Sequence, residues 1–443
     1  MKRKLVTLLT ILTICLISEL QAQFDITEVG LLPEKVSNNA VCEGFINDTA
    51  FVFSFGGIDS TKSYTGIHRR SFRYNVLTGL SESILDLPDT LGKIASGASR
   101  IGDIIYIAGG YHVYEDGHEK SSNKIHRYDI INNIFLSDGA NIPIAIDDHV
   151  QAVWQDSLIY LITGWSNFGN VRSVQIYNPT TDSWQVGTLI PNTNSYRSFG
   201  ASGTIVNDTI YYFGGATSSF GFDIQNKLRK GIINPAAPTQ ITWSISTPDP
   251  AIDGYRMASC SVDDKAYWIG GSNATYNYDG IAYDGSGGVP TSNRVLWTEI
   301  DSIQWFEDFL LEIPMDLRGI GNVNDTIKYL AGGMIGDQSL TDKVYKIRFN
   351  HSFIGLEETG ELKNEFEIYP NPSSDIITVK FPDNLETKKL RIRGVNGVLI
   401  NEYTIAAQIN QYQIGISHLL PGVYIVECVG RQSVLHASKL LIH

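Results

Sequence analysis

The side chains best suited to chemistry in this sequence are aromatic rings set in polar stretches and a smaller group of cations. The rings are Tyr64, Tyr111, Tyr114, Trp165, Phe168, Phe220, Phe222, Tyr276, Tyr278 and Tyr283, and the cations are Lys93, His149, Arg197, Arg256 and Arg318. Flat rings beside basic groups can stack on sugars or grip a peptide and its carboxylates. The plainer role is structural, with rings padding the tops of sheets and arginines bridging neighbouring ones. His112, Glu115, Asp116, His118 and Glu119 crowd one stretch and could hold a metal, although a solvated polar loop is the commoner use. Asp279-Gly280 and Asp284-Gly285 mark turns, and the twelve-residue calcium-loop pattern is absent. No nucleophile elbow, phosphate loop or paired-histidine zinc motif occurs. Neither a cofactor nor a metal is expected.

These residues act together only if the fold gathers them, and a glycine pattern points to how. Six apolar runs end in a glycine doublet or near-doublet: Phe53–Gly57, Tyr106–Gly110, Tyr160–Gly164, Tyr212–Gly215, Trp268–Gly271 and Leu330–Gly333. The glycines at 56, 109, 164, 214, 270 and 332 are separated by 53, 55, 50, 56 and 62 residues. That period is too long for most helical solenoids and fits four short strands per unit. In the second unit, segments starting at Ile94, Ile104, Lys124 and Ile134 read as antiparallel strands, lettered a to d. Asn47-Asp48, Asp156-Ser157, Asn207-Asp208, Asp263-Asp264 and Asn324-Asp325 suit tight a–b hairpins. Strand c carries Tyr74, Tyr128, Tyr177, Trp297 and Tyr345, and strand d carries Phe135, Trp184, Trp243 and Trp305. Large rings at fixed offsets fill the gaps between sheets stacked face to face. The last unit lacks a d strand, whereas the orphan segment Phe24–Pro33 resembles the d-strand passages ending at Pro88 and Pro191. The N-terminal segment is therefore expected to complete the last sheet.

The doublets, the strand-c tyrosines and the strand-d tryptophans resemble the Kelch repeat family over roughly residues 24–350. The resemblance implies an all-β protein: a six-bladed Kelch-type β-propeller over 23–350, followed by a small C-terminal β-sandwich. Strand a would line a central channel, with the d–a and b–c loops on one face. Two departures stand out: Gly164-Trp165 lacks a second glycine, and Gly231-Ile232 stands where tyrosine is expected. A seventh blade would need strands hidden in 272–296. The expected binding face is Tyr111, Tyr114, His149, Trp165, Phe168, Arg197, Phe222, Arg256, Tyr278 and Arg318, with a glycan or protein as ligand. Six-bladed relatives of this family include sialic acid mutarotases, which need an acid and a base flanking a ring oxygen. Arg197, Arg256, His149 and Glu115 could be recruited for that role, but no specific catalytic motif aligns. Copper radical oxidases share the fold and need two His and two Tyr ligands with a Cys–Tyr crosslink, an arrangement the nine histidines do not offer.

Both ends of the chain read as addresses. Lys2, Arg3 and Lys4 precede the apolar run Leu5–Ile17, and Leu20-Gln21-Ala22 offers a cleavage site, so residues 1–22 read as a secretory signal peptide. Thirteen apolar residues are too few for a span, and no other segment suits one, so no transmembrane segment is expected. Residues 1–23 carry +2 and 363–443 carry +1 of the net −13, leaving −16 on 24–362, which argues against nucleic-acid binding. Cys42, Cys260 and Cys428 lie in separate repeats or domains without metal-like spacing, as buried inert thiols would. Residues 351–365 read as a linker, and 366–443 hold short alternating strands typical of a small sandwich. Tyr369-Pro370-Asn371-Pro372, the Gly397 turn, Gly422 and Tyr424 in a late strand, and the closing Lys439 segment resemble the type IX secretion C-terminal sorting domain of Gram-negative bacteria. That resemblance implies the type IX machinery as partner, with the cargo secreted, extracellular or attached to the outer cell surface.

Overall fold

Short runs rich in Val, Ile, Tyr and Phe, broken by Asn, Asp and Gly, become strands and hairpins here as their propensities require. The computed structural model describes residues 24–248, 252–299, 302–307, 309–349, 367–381, 388–394, 399–406, 409–429 and 434–442. The expected signal peptide (1–22), the linker (351–365) and Gly397 lie outside the described residues. Among those described, every named element except the 3-10 turn Tyr64–Gly66 is a strand, and no helix is long and apolar enough to cross a membrane. The chain divides into two units, Met1–Ser352 and Phe353–His443.

Among the described residues of the first unit, six sheets run from strand a to strand d, antiparallel except that Arg318–Gly319 joins sheet 1 parallel to Ala40 and Val41, and Trp165–Ser166 pairs with Gly169–Asn170 in a small ribbon of its own. Sheet 1 holds Ala40–Ile46, Thr49–Phe55, Ser71–Asn75 and Ser81–Ile84. Sheet 2 holds Ile94–Ile101, Ile104–Val113, Ile125–Asp129 and Ile134–Phe135, with Glu119–Ser121 folding back on its long strand b. Sheet 3 holds Val150–Trp154, Leu158–Ile162, Val174–Asn178 and Ser183–Val186. Sheet 4 holds Ser202–Val206, Thr209–Phe213, Leu228–Asn234 and Ala237–Ser246. Sheet 5 holds Ala258–Val262, Lys265–Ile269, Val295–Glu299 and Ser302–Phe306. Sheet 6 holds Gly321–Asn322, Ile327–Ala331 and Lys343–Phe349, and its outer strand is Phe24–Leu31, antiparallel to Lys343–Phe349 with Ile26 opposite Ile347. The segment left over at the N-terminus thus completes the last sheet, as the missing d strand implied.

The a strands touch in cyclic order, and one backbone motif at their heads closes the circle. Asn38, Ala95, Asp148, Gly200, Arg256 and Asp316, one per sheet, all have φ between 46° and 65°. The peptide N–H groups of Asn38, Ala95, Asp148, Gly200 and Arg256 donate to the carbonyls of Asp316, Asn38, Ala95, Asp148 and Gly200, and Leu317 N donates to Arg256 O, all within 2.9–3.3 Å. Left-handed backbone costs a non-glycine residue about 1 kcal/mol or more, and here each such turn gains a hydrogen bond between sheets.

The repeat's rings behave as spacers. Tyr74, Tyr128, Tyr177 and Tyr345 are buried, and Tyr177 packs against Trp184 in a tilted pair with centroids 4.9 Å apart while its hydroxyl donates to Asp182 Oδ1 at 2.6 Å. In sheet 4 the ring of Trp243 lies 2.4 Å from where a Cβ on Gly231 would be, so indole fills the space and the usual tyrosine has no room. The doublets put two left-handed residues in succession, and a Cβ on Gly214 would lie 2.1 Å from Gly254 O. In the third repeat Thr163 (φ 47°) holds the first of these positions and Gly164 (φ 108°) the second. The glycine that is replaced is therefore the first, not the second. Thr163 is retained by its hydroxyl, which accepts from Ser198 N and donates to Val171 O, each at 2.9 Å.

The second unit has two sheets. One orders Glu367–Tyr369, Ile376–Lys380 and Gln411–Gly415; the other orders Leu399–Ile405, Lys388–Gly394, Gly422–Val429 and Val434–Ile442. Ile377, Val379 and Ile414 from the first share a buried cluster with Leu390, Ile392, Val426 and Leu440 from the second. Of the motif Tyr369-Pro370-Asn371-Pro372, the Asn371 side chain accepts from Leu441 N at 2.9 Å, tying the start of the unit to its last strand, which carries Lys439. Tyr424 lies on the strand that Gly422 opens, and its hydroxyl donates to Leu420 O at 2.7 Å.

Candidate functional site

The b–c loops gather over the axis, and their inward rings pack on one another. Trp165 meets Phe199 and Phe222 edge to face at 5.4 and 5.8 Å, Phe222 meets Tyr283 at 4.6 Å, and Tyr255 meets Tyr276 at 5.1 Å. Tyr111, at the end of strand b of sheet 2, is buried in the same cluster, and Tyr278 packs against it from the rim. The long loop 270–294 makes isolated bridges, Ser272–Tyr255, Tyr276–Ala282 and Ile281–Gly288, and it contributes Tyr276, Ala282 and Val289 to this cluster. These rings form one cluster at the mouth.

Beneath them lies a buried ion network. Arg256 is 1% exposed. Its Nη2 is 2.7 Å from Asp148 Oδ2, its Nη1 is 3.0 Å from Asp316 Oδ1, and its guanidinium lies over Tyr255 and Tyr276. Asp316 also accepts from Ser37 Oγ at 2.6 Å and Asn38 Nδ2 at 3.2 Å. Arg318 is buried too, with Nη1 3.4 Å from Asp148 Oδ1 and Nη2 donating to His149 O at 2.8 Å. Burial works to raise the Asp148 carboxyl, but Arg256 and Arg318 outweigh it and hold it below its ordinary value. Asp147, its chain neighbour, goes the other way: burial and then the Asp148 charge push it well up, although Ser121 Oγ donates to it at 2.6 Å. Burial, then Arg318, pushes the His149 imidazole down to about 4.

The ten residues of the expected face therefore have different surroundings. Arg256, Arg318 and His149 lie in the interior network, and Tyr111 is inside the ring cluster. Trp165, Phe222 and Tyr278 are half-buried at its edge. Arg197 is half-buried and donates to Asn194 Oδ1 at 2.8 Å. Tyr114 and Phe168 are exposed at loop tips, as is Phe220. A basic mouth does not form from these groups. Lys93 is also buried, its Nζ 3.3 Å from Asp89 Oδ2, which lies 3.1 Å from His126 Nε2. Counting cations alone missed Asp147, Asp148 and Asp316. The signal was present: Asp148, Arg256 and Asp316 occupy one repeat position, and opposite charges there can meet at the axis.

Comparison with known proteins agrees with both units. Residues 367–443 match the family described as secretion system C-terminal sorting domain. Kelch-like protein 36 of Bos taurus is 27% identical over 173 residues, covering 39% of this chain and 26% of that protein. Kelch-like protein terF of Aspergillus terreus is 28% identical over 127 residues, covering 27% of this chain and 26% of that protein. The chain thus spans about a quarter of the length of these curated relatives. Among solved structures, one titled "Structure of YjhT" aligns with a TM-score of 0.55 at 13% identity, covering 71% of this chain and 96% of that one. The sorting tail marks the protein for secretion to the extracellular space or the outer cell surface. Glycine doublets, circular sheet order and these likenesses support a Kelch-type β-propeller followed by a secretion system C-terminal sorting domain.

Proposed function

We propose that this is an exported, six-bladed, non-catalytic binding propeller whose b–c loop face engages a glycan or protein ligand. Its C-terminal unit, read as a small β-sandwich over 366–443, serves as the address recognised by the type IX machinery. One observation carries the binding reading: the b–c face buries its inner rings in one cluster yet holds Phe168 and Phe220 out in solvent, with Tyr114 partly exposed. Large exposed rings grouped on one face mark interaction surfaces. Arg256 and His149, two of the four groups that acid–base chemistry on a sugar would draw on, are buried in the axial network, which favours binding over catalysis.

The test is a combined glycan and peptide array probed with the full chain. Substitutions Tyr114→Ala and Phe168→Ala on the proposed face are compared with Leu77→Ala, an exposed leucine in a c–d turn on the opposite face. Ligand capture weakened by the first pair and untouched by Leu77→Ala supports the reading. Capture indifferent to all three, or faster anomer equilibration of N-acetylneuraminate than in buffer, refutes it.

A further inference from the structure

Three consecutive b–c loops carry rings that the fold holds out in water. Phe168 is 96% exposed and Phe220 is 106% exposed, while Tyr114, at the tip of the hairpin that extends sheet 2, is 36% exposed and stacks on His118. Loose loops would fold such rings inward, but these loops are fastened to one another. Asn167 Oδ1 accepts from Ser121 N at 3.1 Å and Asn167 N donates to Ser121 Oγ at 2.9 Å, joining the second loop to the third. Asn170 Nδ2 donates to Ala216 O at 2.9 Å, joining the third to the fourth. Thr275 Oγ1 donates to Phe222 O at 2.8 Å, joining the fourth to the fifth.

Backbone strain sits beside both phenylalanines. Asn167 has φ 49° and Phe222 has φ 51°. A bulky residue in the left-handed region is uncommon and persists only where its surroundings fix it. Phe222 turns its ring inward onto Trp165 and Tyr283, so that Phe220, two residues earlier, points out. The strain is thus used to present rings. A rigid display of this kind lowers the ordering cost of binding.

The surrounding chemistry selects among occupants. Residues 114–121, 165–172 and 216–223 carry four carboxylates, Glu115, Asp116, Glu119 and Asp223, against Lys120 and Arg172. A net negative patch repels anionic lipid headgroups, uronic or sulfated glycans and nucleic acid. The remaining polar groups are amides and hydroxyls, among them Asn167, Ser218 and Ser219, together with the His118 imidazole that stacks on Tyr114. Rings stack on the apolar faces of sugars, while carboxylates and amides accept from and donate to sugar hydroxyls.

Building on the binding reading above, we propose that Tyr114, Phe168 and Phe220 form a crest on which a neutral, extended glycan lies across the second, third and fourth blades. The experiment uses the full chain with four neutral probes (β-1,3-glucan, β-1,4-glucan, mannan and chitin oligosaccharides). The controls are heparin oligosaccharide, polygalacturonate, a lysine-rich peptide, vesicles of phosphatidylethanolamine with phosphatidylglycerol, and sedimentation for self-association. At least one neutral chain binds saturably, and Phe168→Ala with Phe220→Ala together weaken it roughly tenfold or more without shifting the melting temperature. Both side chains are in solvent, so neither substitution threatens folding. The proposal is overturned if no neutral probe binds, or if neutral binding survives the double substitution. It is equally overturned if the rings serve vesicles, anionic glycan, peptide or a second copy of the chain. Ring-dependent capture of one of those other classes leaves the binding face intact and removes only the sugar, whereas capture indifferent to every b–c loop substitution removes both.

Discussion

Arg256 Nη2 lies 2.7 Å from Asp148 Oδ2, a contact between residues 108 apart in sequence that crosses from the fifth repeat to the third at the axis. Removing the cation leaves Asp148 and Asp316 buried without it. Arg256→Met is expected to cost about 3–5 kcal/mol, read as a lower urea midpoint. Adding Asp316→Asn should recover part of the loss, because that uncompensated carboxylate is removed while Asp148 keeps Arg318 as its partner. Unchanged stability in the single variant would show that the pair is not a strut.

Acid should weaken the fold through two buried histidines. His149 is pushed down to about 4 by burial and then Arg318, and His68 to about 3 by burial and then Arg70. An unfolded histidine titrates near about 6.5. Their folded values lie below that, so the unfolded chain binds more protons in between, and stability falls as pH drops from about 6.5 toward 4. Urea midpoints taken across that window should show the slope, and His149→Gln should flatten part of it. A slope unaltered by the substitution would place the proton uptake elsewhere.

Asp147 carries the opposite sign. Burial and the Asp148 charge raise its folded value above the ordinary one. Its contribution to stability is present at low pH and lost as pH rises above about 3.9, where the unfolded carboxyl gives up its proton. Asp147→Asn keeps an acceptor for Ser121 Oγ and removes the ionisation, so it should stabilise near neutral pH by roughly 1 kcal/mol or more, with the gain shrinking toward pH 4. Destabilisation at neutral pH would contradict this reading.

Deleting Phe24–Leu31 strips the outer strand from sheet 6 and exposes the edge of Lys343–Phe349. The melting temperature should fall by roughly 10 °C or more, measured by circular dichroism. An unaltered melting curve would mean the strand is decoration.

Much of the architecture could be read along the chain because its causes are local. Alternating side chains, Asn-Asp hairpins and glycine doublets each act within a few residues, and Asn47 and Asp48 both take the left-handed backbone such a hairpin needs. The orphan Phe24–Pro33 was legible by elimination, one strand over and one missing. The site was less so. Arg256 looked like a surface cation because its partners lie one or two repeats away, and nothing near it in sequence announces them. The loop rings looked alike until packing divided them: Phe222 turns in while Phe220 turns out. Thr163 escaped notice as a doublet position because only its hydroxyl bonds make a threonine acceptable there.

The pairing of Phe24 with Phe349 joins the first described strand to the last one of its unit. A ribosome delivers Phe24 long before Phe349, so every truncated product ending before Lys343 has one strand unmatched and a circle that cannot shut. The fold in this way proofreads its own length: only a chain that has run past residue 349, and is about to emit its export address, can become complete.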